Sequence, residues 1–126
     1  MRKRILFVDD DVDWHFLVNG SLRDAGYDVL IANDAGEALR HVDENKLDLI
    51  VLDVDLGGGE EGIELANFLQ TGNPPVPMIV YSAEPVQDPR LRNGSGARFH
   101  LQKGNMEELL KTVQTMLGPN DGGSDR

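Results

Sequence analysis

Five short apolar segments, separated by stretches with helical periodicity, constrain the fold of this chain more than any other feature. They cover residues 5–8, 29–32, 49–52, 76–80 and 99–101. The first four are rich in Val, Ile and Leu and are continuous rather than alternating, which is typical of strands buried on both faces of a parallel sheet. We therefore expect an α/β fold, a doubly wound parallel sheet with helices on both faces and right-handed crossovers.

The segments between the apolar runs have the i, i+3, i+4 spacing of amphipathic helices. Asp34 with Glu37, and Asn105 with Glu108, have the spacing of helix N-terminal caps. The buried stripe of the first helix is predicted to contain Trp14, Leu17, Val18, Leu22 and Ala25.

Two segments lack the pattern of a regular element. Residues 84–96 contain two prolines and two glycines, so the helix between the fourth and fifth strands is expected to be short or irregular. Residues 119–126 have no apolar anchor and are expected to be a disordered tail after one domain, 1–118.

The composition narrows the possible chemistry and partners. The sequence has no cysteine, which excludes disulfides, thiolate catalysis and cysteine-ligated metal sites. The 12 basic and 22 acidic residues give a net charge of −10, which disfavours direct contact with nucleic acid or an anionic membrane. No apolar run approaches the roughly 18 residues of a membrane span, and the basic N-terminus lacks the apolar region of a signal peptide. We therefore expect a cytoplasmic protein.

Short segments that contain polar side chains follow four of the five predicted strands. They are Asp9-Asp10-Asp11, Asp53-Val54-Asp55, Tyr81-Ser82-Ala83 and Gln102-Lys103-Gly104. Each group alone is more often a helix cap, a turn or a solvated loop residue, and Asp10 or Asp11 has the position of a cap. The carboxyl ends of parallel strands lie at one edge of a sheet, however, and ligands bind there. Their joint placement predicts a functional site.

The side chains expected at this edge suit phosphoryl chemistry. Several carboxylates in a small volume repel one another, and a hard divalent cation removes that conflict. A set of oxygen ligands with few protein donors suits Mg²⁺. A carboxylate beside Mg²⁺ and a lysine can act as a nucleophile toward phosphorus, with a hydroxyl near enough to bind a phosphoryl oxygen. The product would be an aspartyl phosphate.

With these motifs the sequence resembles a response-regulator receiver domain of two-component signalling over residues 3–117. The resemblance implies a flavodoxin-like, five-stranded sheet of order 2-1-3-4-5. It implies that Asp53 is the phosphoacceptor, and that Asp9, Asp10, Asp53 and the backbone carbonyl of Asp55 hold Mg²⁺. The implied residues that bind the phosphoryl group or switch with it are Ser82, Lys103 and His100. Gly62 corresponds to the glycine that closes the loop after the phosphoacceptor.

Several positions depart from the pattern of the family or admit two interpretations. The loop at 57–59 is three glycines, and Gly104 replaces a proline that follows the lysine through a cis bond. Because a cis non-proline bond costs about 3 kcal/mol, the aim of Lys103 is expected to differ. Asp55 and Glu84 are either residues that tune dephosphorylation or solvated loop carboxylates. His100 is either a switch residue in place of the usual aromatic or an exposed histidine at the strand edge.

Three other side chains are expected to have structural or no specific roles. Trp14 is predicted to pack its helix rather than to contact a ligand, and His15 and His41 are predicted to be solvated.

The resemblance implies partners and leaves alternatives open. The phosphoryl donor would be a sensor histidine kinase or a phosphotransfer protein, and the domain would catalyse only its own phosphorylation and dephosphorylation. An unidentified downstream protein would be the effector, because we expect no helix-turn-helix or enzymatic output domain unless the chain is a fragment of a longer protein. One alternative is a pseudo-receiver that binds partners without phosphorylation. The other is a phosphohydrolase similar to the haloacid dehalogenases, which share an Asp-x-Asp motif such as Asp53-Val54-Asp55.

Overall fold

The structure is a computed structural model that describes residues 2–56, 61–71, 76–83 and 97–118. Strands and helices alternate along residues 4–82, and a fifth strand and a fourth helix follow after residue 96. The strands are β1 (Arg4–Val8), β2 (Asp28–Ala32), β3 (Leu49–Leu52), β4 (Met78–Ser82) and β5 (Ala97–Gln102). The helices are α1 (Val12–Asp24), α2 (Ala35–Glu44), α3 (Glu61–Leu69) and α4 (Met106–Leu117). The predicted irregular helix at 84–96 and the predicted tail at 119–126 lie outside the described residues.

The five strands form one parallel sheet in the order β2-β1-β3-β4-β5. This confirms the doubly wound sheet and its strand order. Because β2 and β3 flank β1, the chain leaves the carboxyl ends of β1 and β3 toward opposite sides of the sheet, and ligands bind at such a switch point. Within the described part of the chain, no helix is long and apolar enough to span a bilayer.

Each face of the sheet has its own hydrophobic core. One core places alternate residues of β1 and β3 against α2 and α3, including Leu6, Ile50, Ala38 and Leu65. The other places the intervening residues against α1 and α4, including Phe7, Val51, Leu22 and Leu109. Burial on both faces explains why these strands are continuous apolar runs, since each fully buried Leu or Phe stabilises the fold by about 2 kcal/mol.

Side chains cap three of the helices at their N-termini. Asp34 Oδ1 accepts a hydrogen bond from the Glu37 amide at 2.8 Å, and Asn105 Oδ1 accepts one from the Glu108 amide at 3.0 Å. Both predicted caps are therefore confirmed. Asp11 caps α1 through the Asp13 amide, at 2.9 Å. Asp11 thus fixes where α1 begins, directly after the acidic residues that follow β1.

Two expectations for the helices are wrong. The spacing predicts Leu17 on the buried stripe of α1, but 52% of it is exposed. His41 is predicted to be solvated, but it is half-buried, with Nε2 3.1 Å from the Ile31 carbonyl oxygen. That carbonyl belongs to the edge strand β2, and Arg23 likewise donates to the Val29 carbonyl at 2.9 Å. The exposed edge needs hydrogen-bond donors, and these two helix side chains provide them.

Candidate functional site

The three acidic residues at the ends of β1 and β3 lie together. Asp9 and Asp53 continue the ladder of the sheet, because their amides donate to the Ala32 and Val8 carbonyls at 3.1 and 2.9 Å. Both residues are buried, with 0% and 3% exposed, whereas Asp10 is exposed. One carboxylate oxygen from each of Asp9, Asp10 and Asp53 lies within 4.8 Å of the others. The sheet itself therefore gathers the charges that the sequence predicts to converge.

Lys103 bridges the two buried carboxylates. Its Nζ lies 2.6 Å from Asp9 Oδ2 and 2.9 Å from Asp53 Oδ2. Its amide donates to the Ser82 carbonyl at 2.8 Å, which ties the end of β5 to β4. Gly104 has a φ of +120°, in the region that favours glycine. With glycine in place of proline, the Lys103 side chain reaches Asp53. That its aim differs from the family's lysine stays a prediction.

Both buried carboxylates are oriented in the same way. Asp9 Oδ1 accepts a hydrogen bond from the Asp11 amide, and Asp53 Oδ1 accepts one from the Asp55 amide, each at 2.9 Å. Each Oδ2 accepts from Lys103. The backbone two residues downstream thus fixes one oxygen of each side chain, and the lysine fixes the other.

Burial and neighbouring charges shift the pKa values of Asp53 and Lys103. Burial raises the pKa of Asp53, and the Asp9 charge acts in the same direction, whereas the Asp55 amide and Lys103 oppose the rise. For Lys103, burial lowers the pKa, but the hydrogen bonds to Asp9 and Asp53 outweigh it and the net shift is upward. Lys103 therefore stays protonated at neutral pH, and Asp53 is a more basic carboxylate than an ordinary aspartate.

Ser82, the last residue of β4, faces the same site. Its hydroxyl donates to Asp55 Oδ2 at 3.0 Å, and only 2% of the residue is exposed, whereas Asp55 is exposed. Asp55 therefore contacts the site twice, through its amide to Asp53 and through its carboxylate to Ser82. The sequence predicts Asp55 near the phosphoryl position but gives no indication of a hydrogen bond to Ser82.

Trp14 and His15 take part in the site more closely than the sequence suggests. Trp14 packs edge-on against Tyr81, with ring centroids 5.8 Å apart, as expected for helix packing. Its ring also lies 5.0 Å from Lys103 Nζ, a cation–π contact. The prediction of a solvated His15 is wrong: the residue is half-buried and its Nε2 contacts the Asp9 carbonyl. The available signal is position, since both residues lie one helical turn after the acidic run.

An open cavity of about 400 Å³ lies at this edge of the sheet. Its lining consists of Asp9, Asp10, Asp11, Trp14, Asp53, Asp55, Ala83 and Lys103. The donor atoms of the three clustered aspartates are all carboxylate oxygens, which is the ligand type that Mg²⁺ prefers. The residues present therefore fit Mg²⁺, and the cavity leaves room for a phosphoryl group beside Lys103.

Gly62 lets the loop after β3 pack closely. A Cβ at this position would lie 2.3 Å from the Val54 carbonyl oxygen, so no larger residue fits unless the backbone moves. The close approach seats the first turn of α3 against the residue that follows Asp53.

The remaining predicted residues lie on β5 or outside the described residues. His100 is on β5, in register with Val80, and is exposed. Glu84 and the three glycines at 57–59 lie outside the described residues.

Comparison with known proteins gives consistent matches. The family model of the response regulator receiver domain matches residues 5–114. The transcriptional regulatory protein PrrA of Mycobacterium tuberculosis is 35% identical over 116 residues, which cover 90% of this chain and 49% of PrrA. The chain thus spans about half the length of that curated relative.

Solved structures of receiver proteins share the fold. A CheY-like response regulator receiver domain protein from Methanospirillum hungatei JF-1 is 28% identical, with a TM-score of 0.80 and coverage of 91% of this chain and 93% of that one. The response regulator TrrA from Thermotoga maritima, solved in complex with Mg²⁺ and BeF, is 28% identical, with a TM-score of 0.77 and coverage of 91% and 99%.

Proposed function

Because this chain belongs to the response regulator receiver family, we propose that Asp53 accepts a phosphoryl group from a phosphohistidine and that the modified domain changes its affinity for another protein. The donor is a sensor histidine kinase or a phosphotransfer protein in the cytoplasm, and the effector is an unidentified downstream protein. A receiver domain is not a conventional enzyme, and in this proposal the chain catalyses only its own phosphorylation and dephosphorylation. The observation that carries the proposal is the contact of Lys103 with Asp53 inside the acidic cavity.

Asp53 is the nucleophile in this proposal. A carboxylate oxygen of Asp53 forms a bond to phosphorus, the bond from phosphorus to the imidazole nitrogen breaks, and the imidazole leaves with the electron pair. The raised pKa of Asp53 supports the assignment, because a more basic carboxylate is a better nucleophile.

Mg²⁺ is the cofactor in this proposal. Asp9, Asp10, Asp53 and the backbone carbonyl of Asp55 would hold the ion. When bound, it would neutralise charge on the phosphoryl oxygens. The carboxylate oxygens of Asp9, Asp10 and Asp53 lie within 4.8 Å of one another, which supports this assignment because a divalent cation relieves their repulsion.

Lys103 and Ser82 bind the transferred group. The ammonium group of Lys103 is already beside Asp53, so it can pair with a phosphoryl oxygen without leaving the cavity. The Ser82 hydroxyl donates to a second phosphoryl oxygen, and His100 changes position in response. Asp55 and Glu84 tune the rate of hydrolysis. The domain of this proposal covers residues 1–118.

Two other functions receive less support. A pseudo-receiver would not need Asp9, Asp53, Ser82 and Lys103 to remain together, as they do here. A phosphohydrolase of the haloacid dehalogenase type would carry its Asp-x-Asp motif on the first strand, whereas the motif here follows β3.

The test is the intact mass of the chain after incubation with a small acyl phosphate and Mg²⁺. We expect the wild type to gain one phosphoryl group and Asp53→Asn to gain none. Asp11→Asn is the matched control, since it removes a carboxylate of the same cavity, keeps a good helix cap and should still be labelled. An unlabelled wild type, with both acyl phosphate and a phosphorylated kinase as donors, would refute the proposal. Steady turnover of phosphoesters would favour the hydrolase.

A further inference from the structure

We propose that the Asp55 carboxylate is a positioning residue that holds the Ser82 hydroxyl in the unphosphorylated domain and competes with the phosphoryl group for it. This inference rests on the proposed function, which assigns the Ser82 hydroxyl to a phosphoryl oxygen. It goes further, because it gives Asp55 a specific physical role in setting how readily the switch responds.

Ser82 and Asp55 are each anchored through the backbone, and their side chains form a hydrogen bond that we call the latch. Ser82 lies at the end of a central ladder, where its carbonyl accepts a hydrogen bond from the Lys103 amide at 2.8 Å. The backbone of Asp55 is anchored through its amide to Asp53 Oδ1 at 2.9 Å. Between these anchors, Ser82 Oγ and Asp55 Oδ2 are 3.0 Å apart. Rotation of the Ser82 side chain can therefore break the contact with Asp55 while both backbone hydrogen bonds persist.

The Ser82 hydroxyl cannot donate to Asp55 and to a phosphoryl oxygen at the same time. A serine hydroxyl has one proton to donate, so a hydrogen bond to Asp55 and one to a phosphoryl oxygen compete. Both acceptors are anionic, and hydrogen bonds to charged acceptors are stronger than those to neutral ones. The Asp55 carboxylate is therefore a strong competitor of the phosphoryl oxygen for the hydroxyl proton. Removal of the carboxylate should therefore remove this competition and strengthen binding of the phosphoryl group.

Loss of the Asp55 charge would also favour an anion in the cavity directly, and this effect has to be separated from the latch. A double-mutant cycle with Ser82 does so, because the charge effect persists without the hydroxyl and the latch effect does not. Asp55→Ala keeps the backbone amide that binds Asp53 and the carbonyl assigned to Mg²⁺. Asp11→Asn removes a charge from the same cavity, at a carboxylate that binds the Asp13 amide, and is the matched control.

The experiment measures the affinity for beryllium fluoride, a phosphoryl analogue, in the presence of Mg²⁺. Trp14 is the only tryptophan in the sequence and lines the cavity, so its fluorescence reports binding. With Ser82 present, we expect Asp55→Ala to lower the Kd about tenfold. With Ser82→Ala, the same change should lower the Kd only about two- to threefold. Asp11→Asn should change the Kd by the same small factor with Ser82 present and with Ser82→Ala.

A second readout needs no phosphoryl analogue. In the ligand-free domain, Ser82→Ala should move the carboxyl ¹³C chemical shift of Asp55, because that oxygen loses its hydrogen bond. An unchanged shift, or an equal effect of Asp55→Ala on the Kd in both Ser82 backgrounds, would overturn the inference and leave the proposed function intact. A wild type that binds no beryllium fluoride and is not labelled at Asp53 would overturn both.

Discussion

Replacement of Asp53 by asparagine should stabilise the domain although it abolishes phosphorylation. Asp53 and Asp9 are both buried, and the single ammonium group of Lys103 serves both. The introduced asparagine would keep the shape of the side chain and a neutral oxygen for Lys103 or the Asp55 amide. Asp9 would keep its ion pair with Lys103. The substitution therefore removes one desolvated charge and leaves the Lys103 ammonium group with a charged partner.

The expected gain follows from opposing effects on the Asp53 charge. The hydrogen bond from the Asp55 amide also favours that charge, but the oxygen of the introduced asparagine can accept it in part. With an effective dielectric constant of about 20, attraction to Lys103 at 2.9 Å is worth about 6 kcal/mol, and repulsion from Asp9 within 4.8 Å costs about 3 kcal/mol. Desolvation of a buried carboxylate costs several kcal/mol more. The two costs together exceed the attraction by roughly 2 kcal/mol, consistent with the raised pKa of Asp53. We expect Asp53→Asn to raise the free energy of unfolding by about that amount.

The difference in stability between the wild type and Asp53→Asn should depend on pH. Burial raises the pKa of Asp53 in the folded state above its unfolded value of about 3.9. The stability associated with the protonated form is therefore fully present below the unfolded pKa and is lost as the pH rises through the folded pKa. The asparagine of the variant does not titrate. The advantage of the variant should therefore be small near the unfolded pKa of about 3.9, should grow as the pH rises toward the folded pKa, and should level off above it.

Urea unfolding of wild type and variant between pH 4 and 8, with a chelator present, measures this difference. With a slope of about 2 kcal/mol per molar urea, the midpoint of Asp53→Asn should lie about 1 M higher at neutral pH. Asp10→Asn removes an exposed carboxylate of the same cluster and should stabilise less than half as much, because little desolvation is relieved. A variant that is less stable than the wild type, or a difference independent of pH, would refute the reasoning.

Two other perturbations test the packing around the site. Gly62→Ala should lower the free energy of unfolding by about 3 kcal/mol, because its methyl group would meet the Val54 backbone at 2.3 Å. Gly20→Ala, within α1 and with no atom near the new methyl group, should instead raise it by about 0.5–1 kcal/mol; equal urea midpoints for the two variants would contradict this. Trp14→Leu should slow labelling of Asp53 by acyl phosphate about fivefold, since a cation–π contact with Lys103 is worth about 1 kcal/mol, while Trp14→Phe should keep most of the rate. A Leu variant as fast as the wild type would exclude that role.

The sheet could be predicted from the sequence because burial on both faces leaves a pattern in each strand separately. Residues 5–8 and 49–52 are continuous apolar runs, and the structure buries every residue in them. Helix faces were less predictable, as Leu17 shows. Its spacing fits the stripe of α1, but spacing alone does not indicate how wide a face the sheet covers, and 52% of Leu17 is exposed.

The charged part of the site was also predictable, because the ends of parallel strands meet at one edge. What the sequence could not supply was the pairing of side chains within that edge. Ser82 donates to Asp55, 27 residues earlier in the chain, and Lys103 lies against Trp14, on a different element. These contacts depend on rotamers and on the twist of the sheet, which leave no local pattern in the sequence.

The position of Lys103 shows how tertiary contacts replace a local constraint. A proline would limit the backbone after the lysine, whereas Gly104 leaves it free to adopt a φ of +120°. The side chain is instead held by two carboxylates and the Trp14 ring, and its amide is held by Ser82. Each of these contacts involves a residue that the proposed reaction uses or lies beside. Phosphorylation would therefore change the partners of Lys103 directly, and the end of β5 would respond because Lys103 follows it immediately.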